Sequence, residues 1–146
     1  MLLAIDIGNS NIVWGVYDNR TLAAHWRIAT DVKKTSDEYG ILFTNLLTAA
    51  EVSTQRLSGA IISSVVPALT GTFEYMLEQY FHQRPLIVTS DTDTGLRLRY
   101  DNPKEIGSDR LVNAAAAYHK YRRDLIVVDF GTATTFCAIT ATGDYL

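Results

Sequence analysis

Residues 2–17 constrain the fold most, because they contain two apolar, β-forming runs separated by a short polar loop: LLAIDIGNSNIVWGVY. The loop residues 8–11, Gly-Asn-Ser-Asn, form turns readily, so the stretch predicts two strands joined by a tight connection. Asp6 stands in the first run, where an unpaired charge needs a hydrogen-bond partner, a cation or a position facing a cleft. The small residues after it let backbone N–H groups approach an anion. A hairpin whose Asp and Asn side chains merely satisfy local backbone groups is the alternative interpretation.

The same pattern returns near the end of the sequence, in residues 125–140, LIVVDFGTATTFCAIT. A shift of 123 residues aligns Asp6 with Asp129, Gly8 with Gly131 and Val16 with Ile139. This spacing is far too long for a solenoid repeat, so a duplicated domain explains it better, although chance similarity of two hairpins remains the alternative. Two such loops facing each other across a cleft could hold a polyphosphate.

Composition narrows the class of protein. The 146 residues are 47% hydrophobic and 20% charged, which is ordinary for a globular protein with a packed core. A net charge of −3 and the lack of a basic stripe argue against a nucleic-acid partner. No apolar run is long enough to span a membrane, and the N-terminus does not resemble a signal peptide. We therefore expect a cytoplasmic protein, in which the lone Cys137 is a buried thiol and the three histidines do not form a zinc site.

The first half of the chain alternates strand and helix signals. Thr35 and Glu38 have the spacing of a capping box, and a helix with one apolar face follows them. Pro67 suits the first turn of a second helix, which we expect to run to about residue 81. Further strands are predicted at residues 22–29, 58–66 and 85–88. The order β-β-β-α-β-α-β predicts an α/β domain with helices covering a mixed sheet.

The second half begins with a polar stretch, residues 89–107, which we expect to be a long loop. Residues 108–121 then predict a helix, with Ser108 as its N-cap. We place a first domain at residues 1–123 and the opening hairpin of a second domain at residues 124–146. The sequence stops soon after that hairpin, so we expect a truncated second domain.

Three carboxylates are candidates for chemistry: Asp6, Asp129 and Asp109. Asp109 follows a glycine-containing loop and precedes Arg110, which suits a general base beside a guanidinium that binds an anionic substrate. The alternative is structural, since acids are common in the first turn of a helix. Neither a Walker A motif nor GxGxxG occurs, so a P-loop or a Rossmann turn is not indicated.

Three segments together carry a resemblance to a known family: DIGNSN at 6–11, YDNPKEIGSDR at 100–110 and DFGTATT at 129–135. The chain resembles the actin-like ATPase and sugar-kinase superfamily, with its ribonuclease H-like domains, and within it is similar to the type III pantothenate kinases. Ser10 stands where the family often has Thr, a change that keeps the hydroxyl. The resemblance implies an actin-like ATPase domain followed by the first hairpin of a duplicated second domain.

The resemblance also implies a role for each matching residue. Asp109 would be the general base for the primary hydroxyl of pantothenate. Asp129 would bind a monovalent cation, K⁺ or NH₄⁺, and Asp6 would belong to the Mg²⁺ shell. ATP would be bound by the loop that runs from Asp6 to Val13, together with Thr132. A second set of residues would bind pantothenate. The ATP set is Asp6, Ile7, Gly8, Asn9, Ser10, Asn11, Ile12, Val13 and Thr132, and the pantothenate set is Tyr100, Gly107, Ser108, Asp109 and Arg110.

The expected activity is therefore the ATP-dependent phosphorylation of pantothenate to 4'-phosphopantothenate, the first step of coenzyme A biosynthesis, by a cytoplasmic homodimer. Two alternatives stay open. One is a non-catalytic, nucleotide-binding regulatory member of the superfamily, acting as a transcriptional accessory factor. The other is a sugar or acetate-type kinase, which would share the hairpins and lack the 100–110 stretch. A general base at Asp109 argues against a pure binding module, which has no need of one.

Overall fold

A computed structural model describes residues 1–146, and the chain divides into two compact units, Met1–Ile87 and Val88–Leu146. The first unit is a five-stranded mixed sheet of order β3-β2-β1-β4-β5 with two helices. The strand β1 is central, antiparallel to β2 and parallel to β4, while β3 pairs antiparallel with β2 and β5 parallel with β4. The elements are β1 Leu2–Ile7, β2 Asn11–Asp18, β3 Thr21–Ala29, α1 Ser36–Ala49, β4 Gly59–Ser64, α2 Pro67–Phe81 and β5 Leu86–Ile87.

The core of the first unit lies on one face of this sheet. Because side chains alternate along a strand, Leu3, Ile5 and Ile7 all point to that face, and all are buried. Trp14 of β2 stacks on Phe43 of α1 with ring centroids 3.8 Å apart, which joins the helix to the sheet. The remaining buried hydrophobic residues of the cluster come from β2, α1, the connection 50–58, β4, the connection 65–66 and α2: Ile12, Val16, Tyr39, Leu47, Leu57, Ala60, Ile62, Val66, Leu69, Phe73, Met76, Leu77 and Phe81.

The helix signals in the first half are confirmed. Thr35 Oγ1 accepts the Glu38 N–H at 3.3 Å, and Glu38 Oε2 accepts the Thr35 N–H at 2.8 Å, so the capping box is closed. That backbone hydrogen bond from Thr35 lowers the pKa of Glu38. Pro67 occupies the first turn of α2, where its missing N–H costs nothing.

A close approach between α1 and α2 gives a stability test within the first unit. A Cβ at Gly40 would lie 2.5 Å from Cδ2 of Tyr80, whereas a Cβ at Gly71 would meet nothing within 4 Å. We expect Gly71→Ala to stabilise the protein by about 0.5–1 kcal/mol, because alanine is the better helix former. Gly40→Ala should instead destabilise it by about 1–3 kcal/mol, since it displaces the Tyr80 ring.

Urea denaturation of both variants measures this difference, and each glycine is the control for the other because the propensity gain is the same. Tyr80 donates a hydrogen bond to Asp37 Oδ1 at 2.9 Å, so displacement of its ring also strains that bond. Equal stabilisation of the two variants would contradict the close packing of α1 and α2 at Gly40.

The second unit is a four-stranded sheet of order β6-β9-β8-β7 with one helix. Strand β7 pairs antiparallel with β8, β8 antiparallel with β9, and β9 parallel with β6. The elements are β6 Arg97–Leu98, α3 Ser108–Tyr121, β7 Leu125–Phe130, β8 Thr134–Ile139 and β9 Asp144–Tyr145. None of α1, α2 and α3 has the length and apolar character of a bilayer-spanning helix.

The helix α3 covers only one face of the β7–β8 hairpin. Its side chains bind Asp129 and Cys137, which share that face. The opposite face is exposed, and its large apolar side chains are Ile126, Val128, Phe130 and Phe136. Phe130 is 83% exposed, so this face has no packing partner within the unit.

Two predictions for residues 89–121 need correction. Ser108 is the first residue of α3, and its N-cap is Gly107, which makes no side-chain capping bond. The polar 89–107 stretch also contains regular structure: the β6 strand, which pairs with β9, and a 3-10 turn, Pro103–Glu105. The β6–β9 pairing joins residues 47 positions apart in sequence, which local turn signals do not reveal.

The compact units do not follow the domain boundary expected from the repeat. The contacts divide the chain after Ile87, and α3 packs on β7 and β8 within the second unit. The assignment of residues 1–123 and 124–146 concerns the duplicated sequence pattern, and it stays a prediction.

Strand β9 is attached to β6 by an ion-pair cluster. Asp144 accepts from Arg97 Nε at 3.0 Å and from Arg99 Nε at 2.7 Å, and these guanidinium bonds, Arg97 first, lower the pKa of its carboxyl. A carboxyl whose pKa is lower in the folded than in the unfolded state stabilises the fold at pH values above its unfolded-state pKa of about 3.9. This stabilisation is lost as the pH falls toward the folded-state pKa.

We therefore expect the melting temperature to fall more steeply below about pH 4 in the wild type than in Asp144→Asn, which cannot lose this charge. Thermal unfolding between about pH 5 and 2 measures the difference. Asp91→Asn, in an exposed loop of the same unit, is the control. Parallel curves for wild type and Asp144→Asn would show that the cluster has no part in acid stability.

Candidate active site

The loop of the first hairpin is tied by backbone hydrogen bonds and by Thr30. The Gly8 N–H donates to Asn11 O at 3.0 Å, and Thr30 Oγ1 donates to Gly8 O at 2.6 Å. The Thr30 N–H donates to Ser10 O at 3.1 Å. A Cβ at position 8 would lie 3.0 Å from Asn11 O, so glycine suits this turn. Thr30, which the sequence patterns did not single out, therefore fixes the loop proposed to hold phosphate.

Asp6 lies on the face of the sheet opposite the core of its unit. It pairs with Val13 of β2 and with Ser63 of β4, and it is exposed to solvent. The place of Asp6 in an Mg²⁺ shell stays a prediction. By contrast, Ile7 and Ile12 are fully buried, so any contact from them to a nucleotide would come from the backbone.

The first turn of α3 holds the candidate base beside a guanidinium. Asp109 is half-buried, and its Oδ1 accepts the Arg110 N–H at 2.7 Å. Arg110 reaches β8, where Nε donates to Cys137 Sγ at 3.4 Å and Nη2 to Phe136 O at 3.2 Å. The hydrogen bond to Cys137 raises the pKa of Arg110, with a smaller contribution from Tyr100. The guanidinium is therefore a fixed positive charge one residue from the carboxylate.

Asn113 connects Asp129 to the same helix face. Its Nδ2 donates to Asp129 Oδ2 at 3.2 Å, and it lies one turn after Asp109. The second unit thus brings Asp109, Arg110 and Asp129 to one side of the β7–β8 hairpin, while residues 6–13 belong to the other unit. Sequence reasoning missed Asn113, although its i+4 spacing from Asp109 was a usable signal.

The second hairpin loop repeats the first with one residue fewer. Four residues separate the paired Ile7 and Ile12, whereas three separate Phe130 and Thr134. The sequence alignment of Val16 with Ile139 is therefore one residue out of register with the strand pairing. Their strand partners are Leu3 and Leu125, which the shift of 123 residues does not align. Thr132 is exposed in this shorter loop.

The pantothenate set does not lie on one element. Gly107 and Ser108 belong to the start of α3, and Ser108 is buried. Tyr100 is 39% exposed and follows β6. The Tyr100 side chain is the smallest of the causes that raise the pKa of Arg110, with the phenol oxygen as acceptor for the guanidinium.

Comparison with known families decides the assignment. The family model for type III pantothenate kinase matches residues 2–146. The chain belongs to this family. The resemblance of the three motifs is thereby confirmed for the chain as a whole, and the fold class is that of the actin-like ATPases and sugar kinases.

Solved structures support the same fold. The chain is similar to a putative N-acetylglucosamine kinase from Porphyromonas gingivalis, with 16% identity, a TM-score of 0.55, and coverage of 97% of this chain and 45% of that one. It is also similar to the ROK hexokinase from Thermus thermophilus, with 13% identity, a TM-score of 0.53, and coverage of 97% of this chain and 46% of that one. YeaZ from Pseudomonas aeruginosa is similar with 10% identity and a TM-score of 0.51, and the match covers 95% of this chain and 58% of YeaZ. The chain thus spans about half the length of these proteins.

Proposed function

We propose that the protein containing this chain phosphorylates pantothenate with ATP, giving 4'-phosphopantothenate, the first step of coenzyme A biosynthesis. The observation that carries the proposal is the N-terminal part of α3, where the Arg110 N–H binds Asp109 and, one turn later, Asn113 binds Asp129 of the hairpin. Membership of the family supports a kinase, and the motif at residues 100–110 supports pantothenate as its substrate.

In this mechanism Asp109 is the base. Its Oδ1 is bound by the Arg110 N–H, which leaves Oδ2 to accept the proton of the primary hydroxyl of pantothenate. The hydroxyl oxygen then attacks the γ-phosphorus of ATP. ADP leaves as the new P–O bond forms. Arg110, together with Tyr100, Gly107 and Ser108, binds pantothenate, and the guanidinium pairs with its carboxylate.

Residues 6–13, together with Thr132, bind the phosphates of ATP. Asp6 belongs to the shell of Mg²⁺, which in such sites is held by one or two carboxylates, waters and the substrate phosphates rather than by a protein cage. Asp6 fits that requirement as an exposed carboxylate at the start of the loop. The metal, when bound, neutralises charge on the phosphates.

Asp129 holds the monovalent cation, K⁺ or NH₄⁺, in this proposal. Its Oδ2 is bound by Asn113, which fixes the carboxylate and adds an amide oxygen nearby. We also propose a cytoplasmic homodimer, on the basis of the family alone.

A substrate panel on the full-length protein tests the proposal. With ATP and Mg²⁺, we expect ADP formation that depends on pantothenate, and none with N-acetylglucosamine, glucose or acetate. Turnover of a sugar in place of pantothenate would contradict the substrate. ATP binding without turnover of any compound would favour the regulatory alternative.

A further inference from the structure

One edge of the Arg110 guanidinium is bound to two consecutive residues of β8. Nε donates to Cys137 Sγ at 3.4 Å, and Nη2 donates to Phe136 O at 3.2 Å. A guanidinium is planar with five N–H donors in a fixed fork, so binding at these two atoms sets the direction of the whole group. The edge that carries Nη1 and the second Nη2 proton points away from those two acceptors, and it can pair with a carboxylate through two bonds.

The sulfur of Cys137 is itself held by a second donor. Tyr145 Oη donates to Cys137 Sγ at 3.1 Å, with Tyr145 fully buried and Cys137 3% exposed. A buried phenol needs a partner, and this bond supplies one. Burial, followed by the bond to Cys137, raises the pKa of Tyr145, so the phenol stays a neutral donor. Two strands, β8 and β9, thus converge on one arginine.

The charge of Arg110 does not help the helix that carries it. It lies in the first turn of α3, where the helix dipole favours anions and disfavours cations. Arg110 nevertheless makes none of the salt bridges of the chain and is bound instead to a sulfur and a carbonyl oxygen. An arginine without a carboxylate partner in the protein can pair with an anion from outside it.

We infer that Cys137 and Tyr145 are positioning residues that aim Arg110 at the carboxylate of a small hydroxy acid, whose hydroxyl then meets Asp109. This inference rests on the proposed function for the identity of the substrate. It adds that affinity for the carboxylate depends on a thiol and a phenol that do not touch the substrate.

Three variants of the full-length protein test it. Cys137→Val keeps an apolar side chain but removes the acceptor, and Cys137→Ser restores an acceptor. Ile139→Val alters a buried β8 side chain that takes no part in the bonds of Arg110. Loss of one hydrogen bond to a charged group costs about tenfold in binding. We expect Cys137→Val to raise KM for pantothenate by about that factor without changing KM for ATP, Cys137→Ser to recover part of it, and Ile139→Val to change neither.

A second readout needs no substrate. In a ¹⁵N-arginine NMR spectrum, the Nε–H signal missing from Arg110→Lys identifies Arg110. We expect that signal to shift and to exchange faster with water in Cys137→Val and in Tyr145→Phe, and to stay in place in Ile139→Val. The positioning role would be overturned by an Nε–H signal that is unchanged in both Cys137→Val and Tyr145→Phe. It would also be overturned by equal rises of KM for pantothenate and for ATP in Cys137→Val. If the signal shifts while the wild type does not use pantothenate, the proposed substrate fails and the geometry of Arg110 stands.

Discussion

Asp109→Asn in the full-length protein should lose about 10²–10⁴-fold in kcat, because the amide cannot accept the hydroxyl proton that a general base removes. The amide oxygen can still accept the Arg110 N–H, so the first turn of α3 keeps its geometry. The large loss is therefore expected without unfolding. Steady-state ADP formation with saturating pantothenate measures it.

Two measurements separate this result from trivial causes. ATP affinity, followed by calorimetry, should stay close to that of the wild type, because Asp109 is not among the residues proposed to bind ATP. Asp91→Asn removes a loop carboxylate from the same unit and should keep full turnover. Wild-type turnover in Asp109→Asn would reduce Asp109 to an ordinary first-turn acid.

Asp129→Ala should abolish activation by K⁺ or NH₄⁺. A carboxylate about 4 Å from a cation contributes roughly 4 kcal/mol at an effective dielectric constant of 20, which corresponds to about a thousandfold weaker binding when it is removed. Activity as a function of monovalent salt, at constant ionic strength, measures the effect.

The matched variant is Asn113→Ala, which leaves the carboxylate in place and removes its hydrogen bond together with the amide oxygen nearby. It should raise the concentration of K⁺ needed for half-activation far less than Asp129→Ala does. A salt profile in Asp129→Ala that matches the wild type would remove the cation from the assignment.

The sequence predicted two hairpins correctly, but it did not reveal which face of each is covered. Leu3, Ile5 and Ile7 form the core of the first unit, whereas their counterparts 123 residues later, Ile126, Val128 and Phe130, are exposed. Both triplets have the same alternating pattern and similar hydrophobicity. Only the position of the packed helices distinguishes them, and that depends on distant segments of the chain.

The elements predicted most accurately are those with local signals of known mechanism. The Thr35 capping box and Pro67 both mark helix starts that the structure confirms, because capping bonds form within one turn. The Ser108 cap was predicted one residue late, since a serine near a helix start satisfies the pattern at either position. For the site, the sequence singled out Asp109 and Asp129 as candidates, and their roles stay predictions. The contacts of Asn113 and Cys137 depend on how α3 docks on the hairpin, which no local pattern shows.

Both tryptophans of the chain, Trp14 and Trp26, lie in the first unit, where their rings stack 4.3 Å apart. Intrinsic tryptophan fluorescence therefore reports the unfolding of residues 1–87 alone, while far-UV circular dichroism reports the helices and strands of both units. If the two units unfold together, the two curves coincide. A fluorescence transition that departs from the dichroism curve would give each unit a stability of its own, read from one sample without a label.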